Sequence, residues 1–187
     1  MKKPAWFIAL VSCLPACSQH HQPQQHTSYA GQQEREIKAL SADEMAGYRN
    51  GHGMGLAKAA ELNHYPGPKH VLELANALGL SVEQRAAAQQ VYDRMHARAL
   101  RLGTEIVASE KELDSLFSSQ KIDTTSLRDG VFEIARLQGE LRAAHLLAHV
   151  EMKEILSKEQ IAKYDEMRGY GQIGPRQRSR SAHPSNH

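Results

Sequence analysis

The chain has 187 residues, of which 41% are hydrophobic, only 5% are aromatic and 24% are charged. So few aromatic side chains give little bulk for a thick globular core, and this composition suits thin helical assemblies. Residues 18–167 contain 17 basic and 21 acidic residues, which argues against a nucleic-acid-binding core. The two cysteines, Cys13 and Cys17, lie near the N-terminus, so the rest of the chain has neither a disulfide nor a thiolate zinc site.

The first residues have the pattern of an export signal. Two lysines precede an apolar run, residues 5–11, which is too short to span a bilayer as a helix. Residues 14–17 read Leu-Pro-Ala-Cys and resemble the lipobox of bacterial lipoproteins, although proline is uncommon there and ordinary cleavage nearby is the alternative. We predict a signal peptide over residues 1–16, lipidation of Cys17 and a disordered tether over residues 17–40.

Three short helices are predicted before the first long one. Ser41 caps a helix that ends near residue 51, and it also opens the predicted helical domain, residues 41–169. A second helix candidate spans residues 53–63. A third runs over residues 68–78, between a Pro-Gly-Pro break and a closing glycine. These short elements are expected to fold against longer helices.

Two long helices dominate the rest of the sequence. The first runs from Val82 to about residue 119, and its apolar residues recur every eleven positions, which keeps a nearly straight stripe on one face. The second runs from its cap, Asp123, to about residue 155, and a last helix precedes a disordered basic tail, residues 170–187. No alternating strand pattern is present. The predicted fold is all-α: an elongated hairpin of two long helices with shorter flanking helices.

A five-residue pattern, Leu-Ser-x-Glu-Gln, occurs twice, and each copy starts a helix. The serine is the N-cap, whose hydroxyl accepts from the N3 amide, while the N3 glutamine reaches back to the N–H of the cap. One such capping box is commonplace, whereas two near-identical copies in one helical chain are much more specific. The defining residues are Leu80, Ser81 and Gln84 in the first copy and Leu156, Ser157 and Gln160 in the second.

The paired motifs resemble the twin Leu-Thr-x-x-Gln motifs of the Spy/CpxP family of bacterial periplasmic proteins, over residues 45–168. The resemblance implies a curved, cradle-like homodimer whose concave face receives unfolded clients. It also implies ATP-independent binding of misfolded envelope proteins, or an accessory role beside a sensor kinase or regulator in an envelope-stress response. No cofactor is required for this function. The expected location is the periplasm, with a lipid anchor, and Ser18 after the cysteine favours the outer membrane.

The alternative function is the binding or sensing of a heavy metal, which the same family also includes. His145, His149 and Met152 are spaced i, i+4 and i+7 and so lie on one helix face. Imidazole and thioether suit zinc, copper, nickel or cobalt, and Met95 and His96 could add ligands from the first long helix. The competing interpretation is that His145 is a hydrogen-bonded core residue and that Met152 is packing.

For the chaperone function, the candidate client-binding residues are flexible apolar side chains of the two long helices. They are Met95, Leu102, Ile106, Leu146 and Leu147. At least half of such residues are expected in the hairpin seam or in a dimer interface. The resemblance implies a basic cradle, whereas this core is net acidic. The candidates for a local basic face are Arg94, Arg98, Arg101, Arg136 and Arg142.

An enzymatic function is not predicted. The helical His145 and His149 lack the glutamate that a zinc protease carries after its first histidine, and no serine has the surroundings of a nucleophile. The expected partners are therefore misfolded proteins and a regulator. We expect contact with a membrane only through the lipid anchor, and no contact with nucleic acid.

Overall fold

The structure, a computed structural model, describes residues 29–171. The predicted signal peptide, the lipidation of Cys17 and residues 172–187 of the predicted tail lie outside the described residues, whereas Tyr170, the first residue of that tail, packs against buried side chains of the helical domain. The chain divides into a unit that ends at Gln33 and a second that starts at Glu34, and the helices belong to the second. After a 3-10 turn, Gln32–Glu34, the helices are α1 (Ala42–Arg49), α2 (Lys58–Glu61), α3 (Pro68–Glu73), α4 (Ala75–Leu78), α5 (Val82–Ser118), α6 (Thr124–Ile155) and α7 (Lys158–Met167).

Helices α5 and α6 form the predicted hairpin, and the all-α fold is confirmed, with no strand within residues 29–171. With 37 residues, α5 is about 55 Å long at 1.5 Å per residue. Its buried residues Ala99, Leu102 and Ile106 pack against Leu137 and Leu141 of α6. The seam of the hairpin is thus apolar, as the eleven-residue spacing indicates.

Helices α3, α4 and α7 pack at the base of the hairpin, where α5 begins and α6 ends. One cluster of buried side chains joins five helices there. It contains Val71 of α3, Leu78 of α4, Val91 of α5, Met152 of α6 and Tyr164 of α7. Burial of apolar surface in this cluster fixes the short elements against the long ones.

The domain begins earlier than the predicted boundary at residue 41. Ile37 and Leu40 are only 0% and 5% exposed and pack with Met45 of α1. Lys38 donates from both its backbone N–H and its Nζ to the carboxylate of Asp114, at 3.1 and 3.0 Å. A tether extending to residue 40 is therefore wrong by several residues, because the polar surroundings in the sequence obscure two apolar side chains that the fold buries.

Gly103 allows α1 to lie directly on α5. A Cβ atom at this position would be 2.1 Å from the carbonyl oxygen of Tyr48. Because real Cβ atoms do not approach an oxygen so closely, only glycine fits without a shift of α1. The contact holds the C-terminal end of α1 against α5, and with it the start of the segment that follows α1.

The predicted helix over residues 53–63 is mostly absent. Only Lys58–Glu61 is α-helical. Gly51 and Gly55 have φ of 60° and 78°, and Met54 has a φ of 42°. Backbone in the left-handed region cannot continue a right-handed helix, so the chain turns at Gly51 and again over residues 54–57.

The third predicted helix is divided at Leu74, which has a φ of −95° and a ψ of 7°. The remaining predicted helices are confirmed to within about two residues at each end. Within residues 29–171, no helix combines the length and apolar character needed to cross a membrane.

The two copies of the repeated motif meet at the base of the hairpin. Each forms the predicted capping box, in which the N–H of Ser81 donates to Oε1 of Gln84 at 3.0 Å and that of Ser157 donates to Oε1 of Gln160 at 2.9 Å. The two amides also pair with each other: Nε2 of Gln84 donates to Oε1 of Gln160 at 2.9 Å, and the reciprocal distance is 3.0 Å. We call this arrangement the glutamine pair.

The glutamine pair has local twofold pseudosymmetry. Nε2 of Gln84 also donates to the carbonyl of Ile155 at 2.9 Å, and Nε2 of Gln160 donates to that of Gly79 at 3.5 Å. Each of these carbonyls lies two residues before a capping serine. Each amide of the pair is therefore hydrogen-bonded to the other glutamine and to a backbone carbonyl just before the other motif, so the contact uses both copies.

Candidate functional site

A cleft of about 700 Å³ opens beside the base of the hairpin. The glycine-rich turns before α2 and helix α2 itself contribute to its lining, together with the start of α3, side chains of α5 and α6 and the residues just after α7. We call it the histidine cleft, because its lining includes His52, His70, His96, His145 and His149.

His145 is the buried member of the histidine cleft. Only 4% of its surface is exposed, and its Nε2 is buried without a hydrogen-bond partner among the described residues. A Cβ atom on Gly53 would lie 3.8 Å from Cε1 and Nδ1 of the ring, so bare backbone covers that edge. Burial lowers the pKa of His145, and His149 and His96 add to this shift. The ring is therefore a neutral imidazole with an unpaired buried nitrogen, which costs about 1–3 kcal/mol.

His149 has its tautomer fixed by the backbone. Its Nδ1 lies 2.7 Å from the carbonyl oxygen of Tyr65. Because a carbonyl only accepts, Nδ1 carries the proton and donates, and Nε2 keeps its lone pair. A Cβ atom on Gly67 would lie 2.9 Å from Cε1 and 3.2 Å from Nε2 of this ring, so the close approach requires glycine.

His96 is held in the same way from α5. Its Nε2 lies 3.1 Å from the carbonyl oxygen of Asn50, so Nε2 donates and Nδ1 keeps the lone pair. The ring stacks on Tyr92 with centroids 5.4 Å apart. A Cβ atom on Gly51 would lie 3.0 Å from Cδ2 of the ring. The glycine-rich turns therefore contact histidines of both long helices.

Glu61 organises the network between α2 and α7. The hydroxyl of Tyr164 donates to Glu61 at 2.6 Å and accepts from the N–H of Gly67 at 3.3 Å. Burial raises the pKa of Tyr164, and the bond to the Glu61 carboxylate adds to that shift, so the phenol stays protonated. Nε of Arg168 also lies 3.4 Å from Glu61. The carboxylate is thus engaged by its own neighbours.

The predicted metal-binding set is brought together only in part. His145 and His149 line the histidine cleft, whereas Met152 is fully buried in the base cluster, so its prediction as a ligand is corrected to packing. Met95 lines the cleft, and so does Met54, which lies within the helix predicted over residues 53–63. The alternating glycines around Met54 indicate that the backbone there approaches another part of the fold closely. This is the signal in the sequence that points to the role of Met54.

No preassembled ion cage is present in the described part of the chain. Within residues 29–171, no three side chains of His, Cys, Asp or Glu lie close enough together to hold one ion. The histidines near the N-terminus, His20, His21 and His26, lie outside this range. Any ion held by the cleft histidines therefore requires the donors to move closer together.

Family comparison bears directly on this site. A model of heavy-metal-resistance proteins matches residues 7–163. The chain belongs to the heavy-metal-resistance family. The family is Spy/CpxP-like, so the resemblance inferred from the twin motifs is confirmed. No curated protein and no solved structure matches the chain significantly.

For a member of the heavy-metal-resistance family, the ligand to test against the cleft is a transition-metal ion. The donors fit its chemistry: His96 and His149 each present one ring nitrogen with a lone pair, and His145 has a buried nitrogen without a partner. The thioethers of Met54 and Met95 are further donors on the same cleft.

The predicted client-binding residues fall into three groups. Leu102 and Ile106 are fully buried in the hairpin seam, so the prediction that they contact a client is wrong for the folded chain. Met95 and Leu146 are half-buried. Leu147 is 53% exposed and is the member of the set most accessible to a partner.

The predicted basic face is largely neutralised. Four of its five arginines form ion pairs with glutamates within residues 29–171, and these are Arg94, Arg98, Arg101 and Arg136. Such surface pairs contribute little to stability, but they compensate the positive charge. An acidic client would therefore find little attraction on this face.

Apolar side chains are exposed at the far end of the hairpin. Phe132 is 64% exposed and Phe117 is 53% exposed, and Leu127 and Val131 beside them are also exposed. We call these four residues the tip patch. Apolar surface that is exposed in one region of a protein is characteristic of sites that bind other proteins.

Proposed function

We propose that the protein captures a transition-metal ion in the histidine cleft, as a metal-binding or metal-sensing protein of the bacterial periplasm. The observation that carries the proposal is the buried, unpartnered nitrogen of His145. Nearly all buried polar atoms in proteins are paired, so one that lacks a partner beside a cleft points to a ligand. The family match supports a metal ion as that ligand.

The protonation states of the cleft suit metal capture. A metal binds the neutral imidazole, and protons compete with it. Burial keeps His145 neutral, and the carbonyls of Tyr65 and Asn50 fix the tautomers of His149 and His96. Partners that orient a ligating imidazole in this way raise its affinity for the ion.

Capture requires the glycine-rich turns to close. His96 and His145 both lie against glycines of this segment, at Gly51 and Gly53, so a ligand that draws the two rings together would also move the turns. The segment has isolated turn hydrogen bonds, such as that from the N–H of Leu56 to the carbonyl of Gly53 at 2.7 Å, and no continuous helical ladder. Metal binding in this proposal therefore changes the surface that residues 51–57 present to a regulator.

The test is titration of the purified protein with Zn(II), Ni(II), Co(II) and Cu(II), followed by calorimetry. We expect one ion per chain at micromolar affinity, and affinity at least about tenfold weaker for His145→Leu, which removes the donors at similar side-chain volume. His64→Gln is the matched control, because His64 pairs with Asp165 and does not line the cleft. Unchanged affinity in His145→Leu would contradict the proposed site.

A second function, ATP-independent binding of misfolded envelope proteins, is favoured by the tip patch. The same patch is the surface we propose for homodimerisation, or for contact with a sensor kinase or regulator. The assay is aggregation of a chemically denatured client, followed by light scattering in EDTA without ATP. Phe132→Ser should weaken suppression of aggregation while His145→Leu leaves it unchanged. The reverse pattern would count against the tip patch.

The proposed location is the periplasm, with a lipid on Cys17 as the membrane anchor. Metabolic labelling with a fatty acid tests this directly. We expect incorporation into the native chain and none into Cys17→Ser. Equal labelling of both chains, or none in either, would exclude the lipid anchor.

A further inference from the structure

Sulfur donors distinguish the histidine cleft from a site made of nitrogen and oxygen ligands. Met54 of the glycine-rich turns and Met95 of α5 both line it. Met54 has a φ of 42°, a conformation that is uncommon for a residue with a side chain. A Cβ atom on Gly47 would lie 2.2 Å from the Met54 sulfur, so a glycine of α1 makes room for that thioether. Both the strained backbone and the missing Cβ therefore serve the placement of Met54.

The charges around the cleft disfavour a divalent cation relative to a monovalent one. Lys58, Lys69 and Arg168 are in its lining, and Glu61 is the one carboxylate among the described residues that line it. The Tyr164 hydroxyl and Arg168 both engage Oε1 of that carboxylate, at 2.6 and 3.4 Å, and its Oε2 lies 3.6 Å from Nδ1 of His149. A doubly charged ion meets twice the repulsion of a singly charged one in such surroundings.

We infer that the histidine cleft takes a soft monovalent ion, Cu(I) or Ag(I), through the thioethers of Met54 and Met95 together with the imidazole of His145. This rests on the proposed function and names the class of ion for the same site. Thioether ligands select Cu(I), whereas zinc sites require four ligands drawn from nitrogen, thiolate and carboxylate groups. Within residues 29–171, no three ligands of the latter kind lie together.

The arrangement of donors agrees with a soft ion in a further respect. All three proposed ligands are uncharged, so the complex keeps only the single charge of the ion. Half-buried Met95 also contacts the base cluster, so the residue lies at the boundary between the core and the cleft. Thioethers in such positions adapt their geometry easily, because methionine has three rotatable bonds.

The experiment uses the full chain, labelled with carbon-13 at its methionine methyl groups and with the thiols of Cys13 and Cys17 alkylated beforehand. Silver nitrate is the probe, because Ag(I) needs no reductant. One equivalent should shift the methyl resonances of Met54 and Met95. The resonance of Met167, which is exposed and does not line the cleft, should stay in place.

Calorimetry of matched variants completes the test. The combined variant Met54→Leu, Met95→Leu should bind Ag(I) at least about tenfold more weakly, which is a loss of about 1.4 kcal/mol, and should bind Zn(II) as the native chain does. Met167→Leu is the control and should change neither affinity. Leucine conserves the volume of methionine, and circular dichroism checks that the variant folds.

The outcomes separate the inference from the proposed function. Ag(I) affinity that is unchanged in the methionine variant, or Zn(II) binding that is tighter than Ag(I) binding, overturns the inference. In that case, divalent binding that depends on His145 still supports the proposed function. Absence of binding by every ion tested overturns both.

Discussion

Removing one amide of the glutamine pair should lower the free energy of unfolding by most of the amount that removing both amides does. Gln84 makes four hydrogen bonds: it accepts from Ser81 and from Gln160, and it donates to Gln160 and to Ile155. At about 1 kcal/mol net for each bond, Gln84→Leu should lower the free energy of unfolding by about 2–4 kcal/mol. Gln160→Leu should have a similar effect, because its surroundings are related by the local pseudosymmetry.

Two of these bonds are shared, so each single variant already removes them. The double variant should therefore be less destabilised than the sum of the single variants, by about 1–2 kcal/mol. Denaturant unfolding, followed by far-ultraviolet circular dichroism, measures the free energy of unfolding of the native chain, the two single variants and the double variant. Gln89 gives the control cycle with Gln160, because it donates to Asp93 on an exposed face and shares no partner with the pair.

Additivity of the single variants within about 0.5 kcal/mol would refute this reasoning. The two motifs would then act as independent helix caps, and the contact between their amides would be incidental. The control cycle is expected to be additive within the same margin, so coupling seen in both cycles would indicate a general change in the unfolded chain instead.

Three further perturbations address other parts of the chain. His145→Leu should leave the free energy of unfolding unchanged or raise it by about 1 kcal/mol in thermal unfolding, because it removes an unpaired buried nitrogen; a marked loss would show that the ring supports the fold. Burial lowers the pKa of His145 from its ordinary 6.5. As the pH falls, the unfolded chain therefore binds a proton at His145 before the folded chain does. The native stability should therefore fall below pH 6.5, by up to about 1.4 kcal/mol per pH unit for this group, and His145→Leu should remove that part of the slope in denaturant titrations across pH. Gly103→Ala should destabilise by about 1–3 kcal/mol through its contact with Tyr48, whereas Gly139→Ala, with open space around it, should stabilise by up to about 1 kcal/mol; equal effects in denaturant unfolding would contradict the contact. Phe132→Ser should halve the mass of the proposed dimer in light scattering, and a native chain that is already a monomer would exclude the dimer.

The long elements of this fold are visible in the sequence because their determinants are local. Ser81, Asp123 and Ser157 each form a complete capping box, and each lies directly before the helix that it was predicted to start. The eleven-residue apolar spacing indicates which side of α5 is buried. Periodicity and caps act within a few residues, so one sequence suffices to read them.

The cleft is less visible because its determinants are distant in sequence. The contact of Tyr65 with His149 spans 84 residues, and that of Glu61 with Tyr164 spans 103. The histidines themselves were selected by spacing, but nothing local indicates that Met152 faces the core while Met54 faces the cleft. Similarly, the alanine-rich stretch after Gly55 favours helix by propensity, and the left-handed glycines before it limit that helix to four residues.

The glutamine pair joins the beginning of α5 to the beginning of α7 with groups that carry no charge. An amide neither gains nor loses a proton in the range in which imidazole titrates, and dissolved salt does not screen the bond between two amides. A fall in pH will therefore alter the charge of the histidine cleft and leave the glutamine pair unchanged. The histidine cleft responds to pH, whereas the glutamine pair does not. The cleft histidines can therefore be substituted to change the pH response without weakening the contact between the two motifs.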